Sequence, residues 1–439
     1  MEGHNKTEIG NFPNDWNVGR IDDFFEIQQG KQVSKSNRVG ENQKPFLRTS
    51  NIYWGKVVFE ELDYMNFSKD EEARYRLKKN DLLVCEGGDI GRTAIWNQEV
   101  ENCYYQNHLH RLRAKTDDID PLFILQWLEY SFVIGKVYFG RANVTTIPNL
   151  SKSRLSELII PHPPLPEQRK IAHVLSTVQK AIEQQDNLIR TTTELKKSLM
   201  QKLFTEGTRG ELQKETEIGL VPESWEVIRI GDIMKITSGG TPSRKNKEYY
   251  AGDILWVKSG ELEDNIILNT EEKITEQAIK ESSAKLFPLK TLLIAMYGAT
   301  VGKTSILEKE AATNQAVCAI LPNEEIFNQE FLRHYFITIR ENLLKQRYGG
   351  AQPNISQTII KNTLVPKPNI KEQNAIADSM TLFDSKICYH KSKKDSLTAL
   401  FKTLLHELMT GQRRVHKLGF EALVKDTTQE GGKHHSHSV

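Results

Sequence analysis

Cysteine is scarce: Cys85, Cys103, Cys318 and Cys388 are the only four in 439 residues, and no two form a CxxC pair. That excludes a disulfide framework and predicts a reducing, cytoplasmic compartment. Long apolar runs are missing too. No stretch approaches the roughly 18 residues of a membrane span, and the start MEGHNKTEIGNFPNDW lacks the basic, apolar and small-residue segments of a secretory signal. A soluble protein is expected. Neither charge dominates: 59 Lys and Arg against 57 Asp and Glu give 59 − 57 = +2 and a pI of about 8.1. A polybasic coat is excluded, so any nucleic-acid surface must be a local patch.

Catalytic patterns are equally sparse. The sequence has no Asn/Asp-Pro-Pro-Tyr/Phe motif of amino-methyltransferases, no Gly-x-Ser-x-Gly elbow and no HExxH zinc helix. His108 and His110 stand beside no paired cysteines, so no metal site is expected. The tail GGKHHSHSV carries three His, but being Gly-flanked and terminal it is expected to be a disordered tail or an expression remnant rather than a metal site.

What is present is a duplication. TEIGNFPNDWNVGRIDDFFEIQQGKQVSK (7–35) matches TEIGLVPESWEVIRIGDIMKITSGGTPSR (216–244) at 13 of 29 positions, with a constant offset of 209. The shared residues include Pro13/Pro222, Trp16/Trp225, Arg20/Arg229, Asp23/Asp232 and Gly30/Gly239. Later matches pair DLLVCEGGDIGRTA with TLLIAMYGATVGKTS, and IPNLSKSRLSELIIPHPPLPEQRKIA with QPNISQTIIKNTLVPKPNIKEQNAIA at an offset of 205. A unit of about 205 to 210 residues is too long for a solenoid repeat and fits a duplicated domain.

Each unit changes texture once. Short runs such as FLRTSNIYW, ILWVKSG and TLLIAMYG predict strands, with helices after Asp120 and Asn328. A Pro-rich bend, PHPPLPEQ or PKPNIKEQ, then opens a long segment free of Gly and Pro. In the first such segment Ile171, Leu175, Val178, Ile182, Ile189, Leu195, Leu199 and Leu203 form a stripe. In the second the stripe is Ile376, Met380, Phe383, Ile387, Leu397, Leu400, Leu404 and Leu408. A 3.5-residue period over about five heptads predicts two helices packed along their length, each a rod of about 58 Å. Gln185, Thr192, His390 and Lys394 interrupt the stripe where polar residues set register.

The predicted organisation is a globular domain at 1–160, a spacer helix at 161–207, a second domain at 208–365, a second helix at 366–415 and a tail at 416–439. Antiparallel helices would put the domains at opposite ends of the rod, about a pseudo-two-fold axis. The chain end would return beside the first domain, which makes the organisation circular.

The bend with its EQ pair (PLPEQRKIA, NIKEQNAIA), the helix ends LMQKLFTEG and LLHELMTG, and the start PxxWxVxxIxD make the chain resemble the specificity subunit of a type I DNA restriction-modification enzyme, from Gly10 to about Arg414. The resemblance implies an α/β fold of two target recognition domains separated by two long antiparallel coiled-coil helices. It implies a non-catalytic subunit that reads an asymmetric bipartite target in double-stranded DNA. Two modification (methyltransferase) subunits would dock on it, and restriction subunits would join the full complex. No cofactor is expected in this chain; S-adenosylmethionine, and ATP with Mg, belong to the partners.

The DNA-contact candidates are basic and amide residues near aromatics. In the first unit they are Lys31, Lys35, Arg38, Arg48, Asn51, Arg92 and Arg141, near Tyr53. In the second they are Arg244, Lys245, Lys247, Lys258, Lys303, Arg347 and Gln352, near Tyr297. Arg and Lys pair with guanine edges, Asn and Gln with adenine, and the cations with phosphate. Two other readings stand beside this one. GATVGKTS resembles a phosphate loop and would make the chain a P-loop-like ATP-dependent enzyme, although only three residues separate Gly298 from Gly302 where four are required. A coiled-coil protein scaffold without DNA reading is the other.

Overall fold

A computed structural model describes residues 4–138, 149–345 and 354–415. Arg141, Arg347, Gln352 and the histidine-bearing tail lie outside the described residues. The chain divides into two compact units. One takes the chain up to Gln184 and again from Lys393; the other is Gln185–Ser392. Each unit therefore holds one globular domain and half of each long helix.

The first domain centres on an antiparallel sheet in the order Thr93–Ile95, Leu82–Cys85, Leu109–Ala114, Phe25–Gln29. All four residues of Leu82–Cys85 are buried, so this central strand is apolar on both faces and shows no alternation. The second domain repeats that order with Thr304–Leu307, Leu292–Ala295, Val317–Ile320 and Ile236–Ser238, and adds Asn265–Ile267 parallel to the first of these. A smaller sheet flanks each: Tyr104–Tyr105, Gln43–Leu47 and Asp63–Asn66 in the first domain; Glu272–Ile274, Ile254–Val257, Ala311–Thr313 and Leu286–Phe287 in the second.

The shared Gly30 and Gly239 have a steric reason. A Cβ on Gly30 would stand 2.2 Å from Gln106 O, and one on Gly239 would stand 2.1 Å from Thr313 Oγ1. No other residue fits where the strand passes that closely to a neighbouring backbone.

The helices expected after Asp120 and Asn328 are Pro121–Glu129 and Gln329–Lys345. Each is capped by the side chain before it, Asp120 Oδ1 accepting from Leu122 and Phe123 N–H, and Asn328 Oδ1 from Glu330 and Phe331 N–H.

The long helices are Leu165–Glu206 and Ile370–Met409. The EQ pair ties the start of each to its domain in the same way. Gln168 accepts from Asp120 N–H at 2.8 Å and donates to Asp118 O and Pro163 O; Gln373 accepts from Asn328 N–H at 2.9 Å and donates to Ile326 O and Pro368 O. Glu167 accepts the Trp16 indole N–H at 3.1 Å, as Glu372 accepts that of Trp225 at 3.2 Å. Buried carboxamides and indoles so satisfied hold the helix angle, because losing a partner strands the other group away from water.

Within the first unit the opening of one helix packs on the close of the other. Ile171, Leu175 and Ile182 share a core with Leu404, Leu405, Leu408 and Met409, with Val178 and Leu397 at its edge. Arg414, just past the second helix, forks onto Glu167 and Asp15, so the segment leaving that helix closes on the first domain. In the second unit Ile376 and Met380 are buried with Met200 and Phe204, and Leu199, Leu203 and Phe383 line that core. His390 meets Gln185 and Asp384 meets Lys196, so the two segments run antiparallel.

The expected stripe needs one correction in each helix. Leu195 is 56% and Leu400 46% exposed. Their places in the seam are taken by the next residues, Lys196, which is drawn inward to Asp384, and Phe401, which is buried. The spacing Leu397, Phe401, Leu404, Leu408 keeps the alternation of four and three while releasing Leu400 outward. Ile189 and Ile387 are half-buried. Among the described residues no helix is long and apolar enough to cross a membrane.

Candidate nucleic-acid interface

Arg38, Arg48 and Arg92 in the first domain, and Arg244, Lys258 and Lys303 in the second, sit on loops built on a similar framework. In the first domain a one-turn helix, Thr49–Asn51, follows Arg48; in the second, Ser259–Glu261 follows Lys258. The third residue of each turn caps it backwards: Asn51 Oδ1 accepts Arg48 N–H at 2.8 Å, and Glu261 Oε2 accepts Lys258 N–H at 2.7 Å. A cation therefore stands at the same place in both copies. Each turn is also tied to a glycine turn of the main sheet. Arg92 donates to Thr49 O at 2.8 Å, and Thr300 Oγ1 donates to Ser259 O at 2.6 Å. Gly91 and Gly302 make those glycine turns at φ of +77° and +79°, backbone that other residues rarely adopt.

In the first domain Arg38 and Arg48 share the Asp63 carboxylate at 3.1 and 2.9 Å. Arg92 pairs with Asp89 and lies over the half-exposed Tyr53 ring, 5.3 Å from its centroid. Lys35 is exposed in the adjoining loop. In the second domain Arg244, at the position matching Lys35, stacks 4.2 Å from the Tyr250 centroid and 5.1 Å from that of Trp256, with its fork on Glu272. That fork holds the Glu272 carboxyl below the usual carboxylate range, and Glu271 raises the Lys258 ammonium above its ordinary value. Lys258 bridges Glu271 and Glu272 at 2.6 and 3.3 Å. Lys303 sits 3.8 Å from Glu263, and Lys245, Lys247 and Tyr297 are exposed.

Two candidates are corrected. The Lys31 ammonium donates to Asn66 O at 2.7 Å and Glu71 at 2.6 Å, over the Phe67 ring, with only 11% of its side chain exposed. Burial alone would raise the Glu71 carboxyl, but Lys31 and Ser68 outweigh it and hold the group below its ordinary value. Asn51 is buried, and its carboxamide is consumed by Arg48 N–H, Val58 O and Glu61 O. Both build the loop and offer nothing to a base edge. The sequence reading missed the carboxylates Asp63 and Glu272 and the Tyr250–Trp256 shelf. The arginines that bind these carboxylates lie 15 to 28 residues from them, outside any local pattern.

On this surface the cations Arg38, Arg48, Arg92, Arg244, Lys258 and Lys303 are each paired with a partly exposed carboxylate, and Lys35, Lys245 and Lys247 are exposed beside them. Such pairs are weak in water and can exchange for phosphate oxygens or guanine O6 and N7. The freed carboxylates can accept from cytosine N4.

The phosphate-loop reading does not survive the geometry. A nucleotide loop leads from a strand into a helix N-terminus. Here the Gly298–Lys303 turn joins Leu292–Ala295 to its antiparallel neighbour Thr304–Leu307, so no helix end faces a phosphate.

Fold and site together define a duplicated protein with two mixed helix-and-strand domains, each carrying one basic loop surface and joined to a pair of long helices. The sequence profile of the type I restriction modification DNA specificity domain matches residues 13–190 and 222–399. The chain belongs to that family. It is 28% identical over 425 residues to a Methanocaldococcus jannaschii protein provisionally assigned as the type I restriction enzyme MjaX specificity subunit, covering 94% of this chain and 97% of that one. It is 25% identical to the MjaVIII specificity subunit of the same organism, covering 93% and 95%. The fold is shared with the crystallised S subunit of a type I restriction-modification system from M. genitalium, at a TM-score of 0.57 and 19% identity over 90% of this chain and 96% of that one.

Proposed function

We propose that this chain is the specificity subunit of a type I restriction-modification complex, reading an asymmetric bipartite target in double-stranded DNA. The observation that carries the reading is the repetition of one loop framework with different side chains. Arg48 and Lys258, or Lys35 and Arg244, occupy matching places among different neighbours. Two copies so altered present different donor and acceptor patterns, and each reads its own half-site. The long helices set the gap, and half-sites on one face of DNA lie about 34 to 36 Å or a multiple apart.

The chain itself is non-catalytic and works in the cytoplasm. Two modification subunits dock on it, supply S-adenosylmethionine and extrude the target base, which methylation requires. Restriction subunits with ATP and Mg complete the assembly. Selection from a randomised duplex library by the chain with its modification subunits tests this reading. The expected product is a split sequence with a fixed gap; recovery of no preferred sequence would leave the protein scaffold as the better reading. Exchanging residues 11–150 for another recognition domain changes one half of the sequence and leaves the other.

A further inference from the structure

The two units are copies of one ancestor, so each residue has an internal control at the matching place. Most positions that stayed the same have a task inside the fold. Trp16/Trp225, Glu167/Glu372 and Gln168/Gln373 fasten the helices, and Gly30/Gly239 are sterically required. Among the exposed pairs that do not fit that account are Glu8/Glu217 and Arg20/Arg229, which lie on the globular domains rather than on the long helices.

Arg20 pairs with Asp22 at 3.1 Å, which would explain it alone. The second unit removes that explanation. Gly231 stands where Asp22 was, and yet the arginine was kept as Arg229, whose side chain has no hydrogen bond or ion pair among the described residues. The side chains of Glu8 and Glu217 likewise have none.

In the second unit these residues border one groove. Glu217 and Ile218 form the turn of the hairpin Gln213–Thr216/Gly219–Pro222, which matches His4–Thr7/Gly10–Pro13 with Glu8 and Ile9 at its turn. Arg229 lies opposite Leu364 in a two-stranded sheet, and Leu364 lines a groove of about 760 Å³ together with Glu217, Ile218 and Ile359. In the first unit Arg20 lies opposite Ile159. The carbonyls of Ile159 and Leu364 each accept a tyrosine hydroxyl, from Tyr138 at 2.8 Å and Tyr335 at 3.0 Å, so the floor is built alike.

An exposed glutamate and an exposed arginine thus recur on both units, beside an isoleucine half-buried against each core, while the basic loops diverged. Duplicated surface without a fold task is kept when it meets the same partner twice. We propose that this hairpin–strand face, Glu8, Ile9 and Arg20 on one unit and Glu217, Ile218 and Arg229 on the other, is a docking surface for one modification subunit each. The partner brings a carboxylate to the arginine, a cation to the glutamate and an apolar side chain to the groove. The inference rests on the function proposed above.

The test measures, by native mass spectrometry and titration, how many modification subunits of its own system the full chain binds. Wild type, Arg229→Glu, Arg20→Glu and the double variant are compared, with Glu8→Lys and Glu217→Lys as variants that touch no internal bond. The expected result is two partners on wild type, one tight and one at least tenfold weaker on each single variant, and two weakened on the double variant. Two partners at unchanged affinity on every variant would overturn the docking surface and leave the function standing. No partner on wild type would overturn the function itself. Loss of self-association in the variants, with partner binding unchanged, would assign the face to a second copy of this chain and overturn the proposal.

Discussion

Glu372 accepts the Trp225 indole N–H through one carboxylate oxygen, and through the other it accepts both the backbone N–H and the hydroxyl of Thr208 at 2.9 Å. Trp225 and Glu372 are both buried, so a single side chain joins the end of the first long helix, the entry of the second domain and the start of the second helix. Glu372→Ala strands three donors, each of which costs about 1 to 3 kcal/mol when it loses a partner. The expected loss of stability is about 3 kcal/mol, seen as a lower midpoint in urea. Trp225→Phe keeps the ring and removes one donor, and should lose less than half as much.

The second prediction concerns the helix pair. His390 Nδ1 lies 2.9 Å from Gln185 Oε1, with Gln185 only 6% exposed. A polar pair in a coiled-coil seam, one partner buried and the other half-buried, gives up stability for register. Replacing both by leucine should raise the thermal midpoint and loosen the register. Selection of DNA by the assembled complex would then return more than one gap length. An unchanged single gap would assign register to the domains at the helix ends.

Much of this was legible in the sequence because periodicity reports what packs. Both long helices and their seam follow from apolar spacing and the Pro-rich bends, the duplication follows from segments matched at a constant offset, and the antiparallel direction is implied by the family resemblance. The exceptions are local competitions. Leu195 lost its place because Asp384, distant in sequence, draws Lys196 inward. Lys31 and Asn51 have the composition of DNA contacts, but a buried backbone carbonyl or N–H claimed them first. A basic or amide residue in a loop carries no sign of whether it satisfies its own backbone or faces outward. That depends on partners 3 to 40 residues away.

His334 provides a pH prediction. It is fully buried beside Arg333, whose guanidinium donates to His334 Nε2 at 3.2 Å and to Asp384 at 2.8 Å. Burial, with Arg333 and Lys196 adding to it, pushes its pKa down to about 2. The unfolded chain takes up a proton near pH 6.5, and the folded one does not until far lower. The contribution of the neutral ring is therefore complete above pH 6.5 and is lost progressively as pH falls toward 2. Gln126 holds the matching place in the first unit, six residues after the helix cap. His334→Gln should flatten the fall of thermal midpoint between pH 6.5 and 4, while leaving stability at pH 8 within about 1 kcal/mol. An unchanged slope would refute the assignment.

The last prediction is about base reading. Arg244 is the cation whose plane is fixed on three sides, by the Tyr250 and Trp256 rings and by the Glu272 carboxylate. A planar fork already oriented loses little freedom when it meets a guanine edge, whereas lysine offers a mobile point charge that neither stacks nor binds in bidentate fashion. Arg244→Lys keeps the charge, so contacts with phosphate should persist and overall affinity should change little with non-specific duplex. Discrimination at one position of the second half-site should fall by about 1 to 3 kcal/mol, roughly 5- to 150-fold. Lys245→Ala, which removes an exposed charge from the same loop, should instead weaken all sequences alike and reduce the salt dependence of binding. Competition assays with single-base variants of the selected site separate the two. If Arg244→Lys weakens every sequence equally, the side chain is a phosphate contact and the shelf serves only to hold the loop.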